Sequence, residues 1–384
     1  LAGRLGEREA DLALRLVPGR VFPALAPRLA AMGVEARLAT AALARVRRVE
    51  DWSEAWMWAA QRALGNGREA ATGGDAVGEA AGKRQAALAF HIAGWPPPDQ
   101  RTQRALRASS ATLFAEALPV LDPAVRRLAV PWRTGRLPAL LALPTRADDA
   151  PLVVLLNGMT TAKEETIAWT APFLARGLAV LALDWPGTGE AASGTPATAD
   201  CLDLLDGVLD LADAEPALDP ARMAVVGVSV GGALAVRLGQ ADGRVAVVVA
   251  VTPPYDAPPW LPRLGPLLRR HIADHAGGPD RFDELAAGLS LARPAGRHRP
   301  PTLIFGAGRD LIVPPGESLR LAAALGDDAT LVWRRGAGHG LFAAIPAWTT
   351  EAAAWLAVVL DSESTQVDGT GRQVGESASR QGDG

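Results

Sequence analysis

The chain has 384 residues, 49% of them hydrophobic, which suffices for a large core and for more than one module. A formal net charge of -3 gives no electrostatic reason to expect a nucleic acid or an anionic membrane as partner, and the single cysteine, Cys201, flanked by Asp200 and Asp203, excludes an intrachain disulfide framework, a multi-cysteine metal site and an activated thiolate. No apolar stretch of signal-peptide length stands near the first residue and no run approaches the ~20 apolar residues of a membrane span, so a soluble, cytoplasmic protein is expected.

Residues 1–119 read as a helical module. Apolar residues recur three and four apart from Val34 through Leu38, Leu43 and Val46, and Trp52, Trp56 and Ala59 share one helical face. Residues 83–92 repeat the pattern, with Gly65-Asn66-Gly67 and Gly73-Gly74 expected to break the helices. The tryptophans read as helix–helix core. After Pro119 the segments 128–130 and 137–143 flank Thr134-Gly135 as an antiparallel hairpin. Short apolar runs follow at 152–156, 178–183, 223–227, 245–251, 302–305 and 330–333. They lack alternation, as strands buried on both faces do. Helical stretches at 200–212 and 318–325 separate some of them, which predicts a mostly parallel sheet with helices on both faces. That core takes residues 120–252 and 301–361. Residues 253–300, too long for an ordinary connection, open on Pro253, Pro254, Pro258 and Pro259 and carry two helical runs, the pattern of an inserted lid. Residues 362–384, almost without apolar content, read as a disordered tail.

The strand 223–227 runs into Gly227-Val228-Ser229-Val230-Gly231, with helical sequence after it. A nucleophile on a sharp strand-to-helix turn has a strained backbone, and its neighbours two residues away on either side must lack bulk. This is the elbow of an α/β-hydrolase fold, in which an acid and then a histidine follow the serine at the ends of later strands. Asp310 follows strand and turn in Phe305-Gly306-Ala307-Gly308-Arg309, and His339 follows Gly336-Ala337-Gly338. Serine needs a base that titrates near neutral pH, and a carboxylate to hold the imidazole tautomer. Asp256 stands as a second candidate acid. The oxyanion hole is expected from the backbone N–H of Val230 and of Met159 or Gly158, in the loop after residues 152–156.

Other signals carry less. Thr161-Ala162-Lys163-Glu164 fits a capping box. The segment 184–190 has G-x-G without the third glycine of a dinucleotide site, and reads as a loop at the rim of the site. His271 and His275, four apart, read as an exposed lid face rather than a metal site, since no third ligand matches them. No metal and no cofactor is expected.

Three segments together resemble a family: residues 157–165, with Lys163-Glu164-Glu165; residues 184–190; and the Ser229 elbow. They are similar to the C–C-bond hydrolases of the type found in bacterial nicotine catabolism, and to related hydrolases of polyketide pathways. Phe90-His91 and residues 130–138 look like that group's helical domain, so the resemblance covers roughly residues 30–360. It implies a helical domain closing over the site, the same triad, no cofactor and often a dimer. The resemblance also implies an additional glutamate after the strand preceding the lid. Here residues 252–259 hold no glutamate and offer only Asp256, so carbon–carbon cleavage does not follow from the likeness. The expected activity is hydrolysis of a medium-sized ester or β-dicarbonyl-like acyl compound, a small-molecule substrate. Two alternatives stand beside it: elimination of acetate or acyl transfer on the same triad, as in natural-product tailoring, and a non-catalytic binding protein on this fold.

Overall fold

The computed structural model describes residues 7–16, 25–95, 99–146 and 149–370. The helices Asp51–Thr72, Ala76–Ala93 and Gln100–Leu121 pack side by side. Their shared core holds Trp52, Trp56, Ala59, Leu88, Ile92 and Phe114. Burying the indoles removes a large apolar area from water, and the Trp52 Nε1–H donates to the Ile92 carbonyl at 2.8 Å. Gly65-Asn66-Gly67 does not break the first helix, which runs unbroken to Thr72. Gly67 is where the next helix comes closest: a Cβ on Gly82 would lie 2.6 Å from the Gly67 Cα. The break comes at Gly73-Gly74, where Gly74 has φ +77° and Asp75 caps the following helix through the Gly78 N–H.

Eight strands form one sheet among the described residues: β1 (Val125–Trp132), β2 (Gly135–Ala142), β3 (Ala150–Leu156), β4 (Ala179–Leu183), β5 (Leu218–Val228), β6 (Val245–Val251), β7 (Thr302–Ala307) and β8 (Ala329–Arg334). Their order is β1-β2-β4-β3-β5-β6-β7-β8. Only β2 runs against its neighbours, and every pair from β4 to β8 is parallel. This is the α/β-hydrolase fold. The central strands are buried on both faces, as their unbroken apolar sequence requires. Alternate residues feed two cores: Leu152, Val154, Val225 and Val248 point to one, and Val153, Leu155, Val226 and Val249 to the other. Parallel strands bring their carboxyl ends to one edge, where the loops after β3, β5, β7 and β8 meet.

Between β6 and β7 lie the helices Pro266–Ala276 and Pro279–Gly288. They are packed down rather than loose, since Ile272, Ala276, Phe282 and Leu285 belong to the main core. The last helix, Ile345–Thr370, buries Trp348, Ala352, Leu356 and Leu360 on the opposite face of the sheet. Two expectations change here. The segment His339–Asp361 is apolar and long enough to cross a bilayer by length and composition, yet part of it is spent on this core. Helix also continues past Ser362 to Thr370, because Gly369 is the first helix breaker after Pro346. The rest of the expected tail, 371–384, lies outside the described residues.

Candidate active site

Ser229 stands between β5 and the helix Val230–Ala241 with φ +58° and ψ -123°. That conformation is costly for any residue with a Cβ. The neighbouring glycines permit it: a Cβ on Gly227 would come 2.1 Å from the Gly231 carbonyl oxygen, and one on Gly231 2.4 Å from the Asn157 carbonyl oxygen. The Ser229 N–H donates to the Val251 carbonyl at 2.8 Å, tying the turn to β6.

His339 follows β8 and reaches both other residues. Its Nε2 lies 2.9 Å from Ser229 Oγ and its Nδ1 lies 2.7 Å from Asp310 Oδ2. A carboxylate only accepts hydrogen bonds, so Nδ1 carries the proton and Nε2 is left free to accept from the serine hydroxyl. The buried Asp310 is fixed in turn, its Oδ1 accepting the N–H of Ile312 at 2.8 Å and of Val313 at 2.9 Å. Behind the imidazole, Gly340 and Leu341 have φ +67° and +49°, and the Gly340 N–H donates to Thr252 Oγ1 at 3.1 Å. Thr252 is itself strained at φ +45°. Strain of this kind persists where surrounding contacts over-determine it.

The loop after β3 comes up against the serine. A Cβ on Gly158 would lie 3.5 Å from Ser229 Cβ. Met159 follows it and is buried, and Val230 takes the first position of the helix beyond the serine. Asn157 shapes the loop: its Nδ2 donates to the Thr161 carbonyl at 2.6 Å, and its own carbonyl accepts Trp185 Nε1 at 2.8 Å.

Several residues sit otherwise than expected. The Asp256 carboxylate accepts from Ser290 Oγ at 2.8 Å and lies 3.8 Å from Arg320, so Asp310 and not Asp256 holds His339. Thr161 does not cap a helix; its hydroxyl donates to the Gly158 carbonyl at 2.9 Å. Asp184, distant in sequence, accepts the Lys163 N–H instead, at 2.8 Å. His271 and His275 are buried, not exposed, because their helix turns that face toward the helical module and the 184–190 loop. Burial lowers both imidazoles, His275 to about 3. Cys201, by contrast, is the unactivated thiol expected: it is buried, and burial pushes it up to about 12.

Two charged groups beside the site escaped sequence reasoning. Lys163 is buried with its ammonium 2.5 Å from Glu164, 3.0 Å from Asp184 and 3.0 Å from Glu190. Burial opposes that charge, but the three carboxylates outweigh it and hold the ammonium above its ordinary range. Burial also pushes Asp184 up to about 6, against the pull of Lys163 and with the neighbouring Glu164 charge adding to the rise. Next to it, Arg28 pairs with both Glu165 oxygens at 2.9 Å and donates to the Thr160 carbonyl at 3.1 Å. Burial alone would raise Glu165; Arg28 and His91 hold it below the usual carboxylate range. The signal was present as the run Lys163-Glu164-Glu165, but its partners are 21 to 137 residues away in sequence.

Comparison with known proteins supports the same architecture. The FrsA-like esterase family matches residues 46–256 and the prolyl oligopeptidase family matches residues 165–363. A hydrolase, LUC6, of Fusarium sp is 34% identical over 248 residues, covering 58% of this chain and 59% of that protein. The 2,6-dihydropseudooxynicotine hydrolase of Paenarthrobacter nicotinovorans is 27% identical over 152 residues, covering 40% of this chain and 41% of its own length. The chain thus matches less than two thirds of either relative. The crystal structure of the 2,6-dihydroxy-pseudo-oxynicotine hydrolase superposes with a TM-score of 0.77 at 22% identity, over 88% of this chain and 96% of that one. At that identity the likeness speaks for the fold.

Proposed function

This chain belongs to the FrsA-like esterase family and to the prolyl oligopeptidase family, and as a hydrolase of that descent we propose that it works through Ser229, His339 and Asp310 on a medium-sized ester or β-dicarbonyl-like acyl compound. The observation that carries the reading is the unbroken relay Ser229 Oγ, His339, Asp310 at 2.9 and 2.7 Å.

In this reading Ser229 Oγ attacks the carbonyl carbon as His339 Nε2 takes its proton. Asp310 stabilises the imidazolium and keeps the ring in its tautomer. The oxyanion forms beside the N–H of Val230 and that of Met159 or Gly158; each such donor is typically worth ~3 kcal/mol in the transition state. The positive end of the helix Val230–Ala241 favours the same charge. His339 then protonates the leaving group, and a water activated by the same base frees the acyl group from Ser229.

A fluorophosphonate probe tests the nucleophile: it should label Ser229 in the native chain, and a folded protein that resists it ends the proposal. Ser229→Ala and His339→Ala should each lower kcat on a 4-nitrophenyl ester by ~10⁴-fold or more, since the members of a triad act as a unit. Product analysis on an acetylated alcohol should give the alcohol and acetate. An alkene with acetate would mean elimination instead.

A further inference from the structure

Between the helical module, the loop after β3 and the helix Pro266–Ala276 lies a cavity of about 30 Å³, room for about two water-sized atoms. Thr160, Thr161 and Ala162 line it, and Gly158 of the same loop packs against Ser229. Its two lining acids are already neutralised: Glu164 and Glu190 both hold Lys163, and Glu190 also holds Arg127.

The lining donors are not satisfied in the same way. Among the described residues no carboxylate lies within ion-pair reach of Arg107, and its one hydrogen bond goes to His275 Nε2 at 3.3 Å. His275 Nδ1 lies 2.7 Å from the Gly187 carbonyl, which only accepts, so Nδ1 holds the proton and Nε2 accepts from the guanidinium. His275 therefore aims Arg107 without competing for an anion. Beside it His271, only 6% exposed, has no hydrogen-bond partner on either nitrogen among the described residues, and neither has Trp95 Nε1. Burial lowers Arg107 to about 10 against the pull of the more distant Asp184 and Asp274, so it stays charged at neutral pH, while burial and the neighbouring cations keep His271 neutral. One acceptor of the lining, Gln103 Oε1, also lacks a partner among the described residues, but a fixed cation with two neutral donors beside it, in a space the size of two oxygens, fits a negatively charged oxygen group turned toward Arg107.

We propose that this cavity receives an anionic oxygen group of the substrate, a carboxylate or an enolate, held by Arg107 with His271 and Trp95 as neutral donors. The inference rests on the hydrolase reading above and deepens it: Ser229 supplies the chemistry and Arg107 selects acyl compounds that carry a negative oxygen. A charge-assisted contact of this kind acts mainly on which substrate is accepted.

The test compares kcat/KM for 4-nitrophenyl hemiglutarate with that for its uncharged isostere, 4-nitrophenyl 5-methylhexanoate. Arg107→Met should lower the ratio of charged to neutral substrate by about 30-fold, the loss expected for one charge-assisted contact. A ratio moved by less than threefold overturns the proposal. His271→Leu removes an imidazole without hydrogen-bond partners among the described residues and leaves an apolar side chain against the His275 ring, so it should fold. It should lower the same ratio severalfold, and it decides the question if Arg107→Met does not fold. Binding is read apart from turnover in Ser229→Ala, by the thermal shift with glutarate and with the enolate of cyclohexane-1,3-dione. Stabilisation by either anion that disappears in Ser229→Ala/Arg107→Met supports the site and names the oxygen; stabilisation by neither overturns it. If Ser229 were not the nucleophile, the ester assays would fail together while this binding arm still reported on Arg107.

Discussion

Lys163 shows how much a single buried charge can organise. Its ammonium balances Glu164, Asp184 and Glu190, and its own N–H is bonded to Asp184. Gly189, at φ +44°, lets the 184–190 loop fold over that carboxylate, where a Cβ would come 2.2 Å from Asp184 Oδ1. A buried ion pair need not add stability compared with an apolar substitute, but removing one partner leaves the others unpaired in a poor solvent. Lys163→Met is therefore expected to cost about 3–5 kcal/mol of unfolding free energy, read from urea melts at pH 8. The cost should shrink at pH 5, because carboxyls stranded by the change take up protons there. A loss equal at both pH values would mean that volume rather than charge is what Lys163 supplies.

At the level of elements, the crossing of Asp51–Thr72 with Ala76–Ala93 depends on two facing glycines. A Cβ on Gly82 would sit 2.6 Å from the Gly67 Cα and 2.7 Å from the Ala63 carbonyl oxygen, atoms of backbone that cannot rotate away. Gly82→Ala gains about 1 kcal/mol of helix propensity but incurs overpacking of about 1–3 kcal/mol, so it should destabilise. Gly65, in the same helix as Gly67, has nothing within 4 Å of the added carbon. Gly65→Ala should stabilise by about 0.5–1 kcal/mol. Opposite shifts of the urea midpoint for this pair would check the packing directly. Sequence alone marked Gly65-Asn66-Gly67 as a helix break and gave no sign of Gly82; only the partner helix distinguishes a glycine needed for contact from one that is merely tolerated.

Over the whole molecule, three buried groups give stability a pH dependence whose sign can be worked out. His271 and His275 have folded pKa values below their unfolded value near 6.5, His275 at about 3, so below pH 6.5 the unfolded chain binds more protons and stability falls with pH. Asp184 acts oppositely: raised to about 6, it takes a proton in the folded state before the unfolded carboxyl does. Two histidines against one carboxyl leave about one proton, so stability should fall by roughly 1.4 kcal/mol per pH unit between about pH 6 and pH 5, and more steeply toward pH 4, where Glu165, held low in the folded chain, acts in the same direction. Calorimetry across that range should show the slope, and His271→Leu should flatten it. A stability that rises toward pH 4 would mean that Asp184, not the histidines, governs the interior.

Local signals in the chain determined the sheet and the three residues of the relay. Short apolar runs bounded by turn residues and separated by helical stretches read as the strands of a covered sheet, and the spacing of Gly227, Ser229 and Gly231 has a steric meaning within five residues. The order Ser229, Asp310, His339 then follows from where each stands after its strand. Contacts between distant segments were decided by the fold alone. Arg28 on Glu165, Asp184 on Lys163 and Arg107 beside His275 join residues 137, 21 and 168 positions apart. A polar residue in a sequence looks solvated until the tertiary structure removes the water around it, and that removal placed two histidines read as surface in the lining of a cavity.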